Sequence, residues 1–305
     1  MRNKFADTLY ECAKEDDRIA IVVADISPAG SMEKFRKEYP ERFINVGVAE
    51  QAMIGLCAGM ALKGLQTFAY TIATFTLYRP FEFIRDDLCY QNLPVTVVGI
   101  GGGVVYSTLG STHHCQEDIA VAGAIPNMSI IAPCDPEETR FATIYCAKQH
   151  RGPIYLRLGK AGEPLLASET DEQWEFGKLR YLMRGTDVCI LSYGIIMKQA
   201  LGLAERLRQA GKSVSVASVH TLKPLDVAGI AEALSKHRQA IVIEEHAPQG
   251  GLAAQTKQIA WDVRSSCALH TFTLKDEFIH NYGTHDELLA AHGLDMARIY
   301  AEVTR

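Results

Sequence analysis

Short runs rich in apolar and β-branched residues alternate with longer stretches of helical periodicity along the chain. Residues 19–25 (IAIVVAD), 66–70 (QTFAY), 95–100 (VTVVGI) and 128–133 (MSIIAP) have the length and composition of strands buried on both faces. Helices are expected over 4–15, 49–62, 79–90, 116–123 and 135–148. The last has a clear start, with Asp135 as N-cap, Pro136 at the first position and Glu137 and Glu138 in the first turn. The run GPIYLRLG (152–159) closes this set. Residues 160–185 are polar and irregular and read as a linker. A second set follows, with strands expected at 187–194, 213–219, 240–245 and 268–274. This alternation predicts an α/β protein: two doubly wound units, each a mostly parallel sheet with helices on both faces.

One helical stretch departs from the amphipathic pattern. In NVGVAEQAMIGLCAGMALKG (45–64), nearly every position from Val46 to Leu62 is apolar, so the helix is expected to be buried on every side. Its one acid, Glu50, stands at the start. A first-turn acid interacts with the helix dipole and free N–H groups for about 0.3–1 kcal/mol. A carboxyl among apolar neighbours can instead share a proton with a ligand. Two further features bear on that choice. Phe75, Tyr78, Phe81 and Phe83 cluster within 71–85, as a core or as a plate for a flat ring. The glycines at 101–103 follow a strand, which makes 101–115 a candidate site loop, because α/β sheets bind ligands beyond the carboxyl ends of their strands. That loop carries His113 and His114. Its spacing is not G-x-G-x-x-G, and the chain has no Walker loop and no G-x-S-x-G elbow.

Composition narrows the classes. The 305 residues are enough for two domains, and 48% hydrophobic with 22% charged residues is a globular profile. A net charge of −5 without a basic cluster argues against a phosphate-backbone partner. The N-terminus has no apolar signal core, and no uncharged run reaches the length of a membrane span. The eight cysteines are scattered with no C-x-x-C pair, which suits reduced thiols in the cytoplasm; no metal-ligating set is expected.

The stretches FINVGVAEQAMIGLCAGMALKG, TFTLYRPFEFIRDDL, NLPVTVV, STHHCQEDIAVAGAIPNMSIIAPCDPEE and GPIYLRLGK resemble, in order, the C-terminal half of transketolase and of 1-deoxyxylulose-5-phosphate synthase. ASVHTLKPLD, IVIEEHAPQGGLAAQT and FIHNYGTHDELLAAHGLD are similar to the third domain of the same enzymes. The resemblance implies a pyrimidine-binding domain of the thiamine-diphosphate fold over 1–160, a linker over 161–185 and a transketolase C-terminal domain over 186–305. It also implies a split enzyme. Transketolases hold the cofactor diphosphate and Mg²⁺ with a G-D-G…N segment, which this chain lacks. An N-terminal partner subunit would supply it, in an α2β2 heterotetramer acting on sugars or sugar phosphates.

By the same resemblance Glu50 is the acid that hydrogen-bonds the aminopyrimidine of thiamine diphosphate. Phe75 stacks on that ring, with Tyr78 as the alternative. Asp25 lies near the thiazolium, and His113 contacts substrate hydroxyls and assists proton transfer. His114 has no counterpart. Arg2 and Lys160 match phosphate-binding residues. Three positions depart from the transketolase pattern: Leu109 where an aspartate reads hydroxyl stereochemistry, Gly101 where a histidine helps hold the sugar phosphate, and Ala29 where a serine contacts phosphate. The expected activity is therefore two-carbon ketol transfer with a non-standard sugar. The competing expectations are the β subunit of a 2-oxo acid dehydrogenase E1, a synthase of the 1-deoxyxylulose-5-phosphate type, and a non-catalytic protein on the same fold.

Overall fold

A computed structural model describes residues 1–27, 30, 32–148 and 152–305. Its strands are β1 (Ile19–Val23), β2 (Phe43–Asn45), β3 (Gln66–Ile72), β4 (Val95–Ile100), β5 (Ser129–Ile131), β6 (Ile154–Leu158), β7 (Arg180–Met183), β8 (Val188–Ser192), β9 (Val214–Ser218), β10 (Thr221–Lys223), β11 (Gln239–Ile243) and β12 (Ala268–Phe272). Its helices are α1 (Arg2–Glu15), α2 (Met32–Glu38), α3 (Glu50–Leu62), α4 (Ala73–Leu77), α5 (Phe81–Phe83), α6 (Asp118–Gly123), α7 (Pro136–Lys148), α8 (Met197–Gln209), α9 (Val227–Lys236), α10 (Leu252–Asp262), α11 (His285–Ala291) and α12 (Met296–Val303).

The strands form two sheets, ordered β10-β5-β6-β4-β3-β1-β2 and β12-β11-β8-β9-β7. Pairing is parallel except at one edge of each sheet, where β10 joins β5 and β7 joins β9 antiparallel. The central strands β1, β4 and β6 are buried at every position, as double-sided coverage requires. The sheets therefore follow the α/β expectation, with three additions. β2, β7 and β10 are three or four residues long, too short to show a period. β7 lies inside the stretch read as an irregular linker. β10 comes from the second half of the chain and completes the first sheet, Thr221 opposite Ile131.

The helix expected over 79–90 is present from Phe81, after Pro80, and is α-helical only over its first three residues. Pro80 has no N–H to donate, so α4 stops before it, and α5 runs on into the π-helical turns Ile84–Tyr90. α3 is not buried all round. Glu50, Met53, Ile54, Cys57, Ala58 and Ala61 face the core, while Ala52, Leu56, Gly59 and Leu62 face solvent.

The two halves share one interior. A single apolar cluster takes in Val22, Met53 and Tyr155 from the first and Tyr193, Ala217, Leu222 and Leu252 from the second. Polar contacts cross the same seam. Arg157 of β6, 4% exposed, donates to Asp118 at 2.8 Å and to the Glu245 carbonyl at 3.1 Å. Tyr155 donates to the same Asp118 oxygen at 2.8 Å. Glu138 of α7 accepts from Ser218 at 2.9 Å and pairs with Arg180 at 3.4 Å. Each buried charge thus has a partner, which its desolvation demands.

Candidate active site

In the first sheet, the segments that leave the carboxyl ends of β1, β3, β4 and β6 carry Asp25, Phe75 (in α4), His113 and Lys160, and α3 follows β2 with Glu50 as its first residue. Sequence positions far apart therefore converge on one edge, the ligand-binding edge of such sheets.

Glu50 is 3% exposed. Its Oε1 accepts from Arg79 Nη1 at 2.8 Å, so its nearest charged neighbour is a cation. The same guanidinium lies 4.2 Å from the centre of the Phe75 ring. His113 meets that ring edge-on, with centres 5.2 Å apart. Glu50, Arg79, Phe75 and His113 thus form one connected group. Burial, then the positive charge of Arg79, holds the His113 imidazole below its ordinary pKa, which favours the neutral ring. Thr112 Oγ1 stands 3.0 Å from His113 Nδ1 and can fix its orientation.

Asp25 adopts φ +44°, the left-handed region, as it leaves β1, and is exposed. Its amide donates to Asn45 Oδ1 at 3.2 Å, which also accepts from Gly47 at 2.9 Å. Asn45 thereby ties the Asp25 turn to the segment that launches α3. Arg2, at the start of α1, donates to the Tyr70 hydroxyl at 2.8 Å and to the Ser27 carbonyl at 2.5 Å. Lys160 Nζ lies 5.3 Å from the Tyr106 ring centre, and Tyr106 also faces His113 at 6.4 Å. Burial pushes the Tyr106 phenol up, and the charge of Arg2 opposes that rise. Lys160 therefore stands over a buried tyrosine next to His113.

Tyr78 stands apart from this group. Its hydroxyl donates to Glu117 at 2.9 Å and accepts from Cys115 at 3.4 Å. Burial, then its acidic and thiol neighbours, raises its pKa strongly. His114, 3% exposed, points away from solvent, and burial lowers its pKa. Among the departures, Leu109 is largely exposed beside the turn at Gly110. A Cβ on Gly101 would come within 2.1 Å of the Tyr106 ring, so Tyr106 occupies the space a side chain there would need. Ala29 lies outside the described residues.

Sequence reasoning does not single out Arg79 or Tyr106 as site residues. Arg79 carries one signal, a cation four positions after Phe75. Tyr106 carries none, because it stands in an irregular loop. Among the described residues no cluster of three or more His, Cys, Asp or Glu side chains could hold a metal ion, and no helix is long and apolar enough to cross a membrane.

Two family models match the chain: "Transketolase, pyrimidine binding domain" over residues 1–162 and "Transketolase, C-terminal domain" over residues 177–299. One subunit of the apulose-4-phosphate transketolase of Phocaeicola vulgatus is 33% identical over 294 residues, covering 96% of this chain and 93% of that protein. The 6-deoxy-6-sulfo-D-fructose transketolase subunit SqwH of a Clostridium species is 35% identical over 254 residues, covering 83% and 78%. A solved structure described as a split gene transketolase, inactive beta4 tetramer, superposes with a TM-score of 0.88 at 31% identity, covering 99% of this chain and 96% of that one.

Proposed function

The chain belongs to the transketolase family, and from that premise we propose that it is the C-terminal subunit of a split transketolase that moves a two-carbon ketol unit from a non-standard ketose to an aldose. The observation that carries this reading is the grouping of Glu50, Phe75 and His113 at one sheet edge. Thiamine diphosphate, when bound, supplies the carbanion chemistry. The residues present suit its pyrimidine: a buried carboxyl group at a helix start can hydrogen-bond a ring nitrogen, and an aromatic plate stands beside it. In this reading Glu50 orients and polarises the aminopyrimidine, Phe75 stacks on it and Asp25 lies near the thiazolium. Tyr78 is a weaker choice for the stack because its hydroxyl is committed to Glu117 and Cys115. His113, kept neutral, hydrogen-bonds substrate hydroxyls and passes a proton.

Arg2 and Lys160 would bind the anionic end of the sugar, with Tyr106 beneath Lys160. The relatives named for apulose 4-phosphate and for a sulfonated fructose support a ketose outside the ordinary set. So does Leu109, which offers no polar atom to a substrate hydroxyl. An N-terminal partner subunit would hold the diphosphate and Mg²⁺, and an α2β2 heterotetramer in the cytoplasm is the proposed working form. The solvent-facing side of α3, with Leu56, Leu62 and neighbouring Val48, is the surface we assign to assembly.

The test is calorimetric titration of thiamine diphosphate with Mg²⁺ into this chain, alone and with its partner. Micromolar or tighter binding in the complex and none by the chain alone supports a shared site. Equally tight binding by the isolated chain overturns it.

A further inference from the structure

The loop from Gly101 to Cys115, which carries His113, has little structure of its own. Gly103 and Cys115 exchange backbone hydrogen bonds of 2.9 and 2.7 Å at its base, and Ser111–His113 forms one 3₁₀ turn. At its start the Gly101 and Gly102 amides donate to the Leu158 carbonyl of the first half at 2.8 and 3.2 Å, and at its end Cys115 donates to the Tyr78 hydroxyl. Further ties reach into the C-terminal half. Glu245, 1% exposed, follows β11, and its Oε1 accepts the Val104 amide at 2.6 Å. That approach is possible because residue 103 is glycine: a Cβ there would stand 2.4 Å from the Glu245 carboxyl carbon. His285, at the start of α11, bonds the same Oε1 through Nε2 at 2.8 Å. Farther along, Ser111 Oγ donates to the Ile279 carbonyl, and the Tyr282 ring lies beside Gly110. A loop with few internal hydrogen bonds is thus also pinned, at Val104 and at Ser111, by the C-terminal half.

We propose that Glu245, oriented by His285, is a positioning residue that holds the 101–115 loop so that His113 stays against Phe75. The C-terminal half then contributes to catalysis without touching substrate, and this rests on the role given to His113 above. The chemistry favours a carboxylate in this place. Burial, the largest single effect, pulls the His285 pKa down, but the charge and hydrogen bond of Glu245, with the charge of Asp286, together more than offset it, so the net shift is upward and favours the charged ring beside Glu245. A charged acceptor binds an amide N–H about twice as strongly as a neutral one. Misplacing a catalytic group by about 1 Å can cost roughly 100-fold in rate.

The test uses the two-subunit complex and two readouts. The first is hydrogen exchange of loop peptides 101–115 in wild type and Glu245→Gln. Exchange should quicken about tenfold or more in the variant, and unchanged exchange overturns the latch whatever the enzyme's reaction is. The second is a double-mutant cycle on kcat/KM with His113→Ala. Glu245→Gln should lower kcat/KM by about 10- to 100-fold with a raised acceptor KM, and by less than about twofold once His113 is gone. Additive losses, or a loss in kcat alone that tracks a smaller folded fraction, overturn the proposal. Ser111→Ala, which cuts the second tie and spares the buried carboxylate, should behave alike and covers the case in which Glu245→Gln does not fold. Absence of thiamine-dependent transfer in the wild-type complex would strike the functional reading, while the exchange result would still decide the latch.

Discussion

Arg79 closes over Glu50: its guanidinium, 44% exposed, donates to a carboxylate that is 3% exposed and rests on the Phe75 ring at the same time. The cation is the half of the pair that solvent can reach. A ligand arriving at Glu50 therefore meets Arg79 first, and either displaces it or slides beneath it.

Removing Arg79 should leave a buried carboxylate without its partner. Arg79→Ala is expected to destabilise the chain by about 1 kcal/mol, a figure kept small because the guanidinium is partly solvated. Glu50→Gln in the Arg79→Ala background should recover most of that loss. Urea unfolding of the four proteins measures both effects, and a double variant no more stable than Arg79→Ala would show that the pair is not the source.

Glu50→Gln alone keeps the shape and an acceptor for Arg79 but removes the carboxyl group that would hydrogen-bond the aminopyrimidine. In the two-subunit complex turnover should fall by about 100- to 10,000-fold with the circular dichroism spectrum unchanged. Steady-state rates within a few-fold of wild type would sink the role given to Glu50.

Arg157→Met should be far more damaging to stability than Arg79→Ala. Asp118 is fully buried, and it would keep only the Tyr155 hydroxyl. Breaking a buried pair in this way costs about 3–5 kcal/mol. Adding Asp118→Asn should restore much of it, which denaturant midpoints will show.

Acid should weaken the fold before carboxylates begin to titrate. Burial holds His113, His114, His220 and His292 below their ordinary pKa. A histidine kept neutral in this way contributes fully above its unfolded value of about 6.5 and loses that contribution as pH falls below it. His285 has the opposite sign: its contribution is complete below about 6.5 and fades as pH rises through its raised folded value. Melting temperature should therefore peak near neutrality and drop on the order of a few °C by pH 5.5. His220→Phe, which keeps the stack on Trp174 at 4.9 Å, should flatten the acid limb. His285→Gln should flatten the alkaline one. Parallel pH profiles for wild type and both variants would refute the assignment.

Gly59→Leu separates folding from assembly. A Cβ on Gly59 meets nothing within 4 Å, so the isolated chain should fold as before and gain up to about 1 kcal/mol of helix propensity. If the outer side of α3 is the assembly surface, sedimentation should show the complex lost or weakened about tenfold or more. Intact assembly would place the interface elsewhere.

The long apolar runs made the central strands readable, because a strand covered on both faces must be apolar at nearly every position. β2, β7 and β10 were not readable, since a pairing such as Thr221 with Ile131 leaves no mark in either segment. α4 was hidden by its composition: Ala73–Leu77 carries two threonines and a phenylalanine, residues that favour strands, and tertiary packing overrides that preference. The apolar outer side of α3 read as burial, although within the chain it faces solvent. At the site, Glu50 and His113 could be picked out by their settings. Glu245 could not, because nothing in EEHAPQGG indicates that its carboxylate reaches the Val104 amide.

The strand β10 also bears on how the protein is made. Folding during synthesis proceeds from the N-terminus, yet the open edge of β5 has no cover until Thr221–Lys223 have left the ribosome. Until then the first sheet exposes a row of unpaired amides and carbonyls of the kind that recruits other strands. The two halves therefore mature as one unit, and a chain released after its first half would emerge with an adhesive edge.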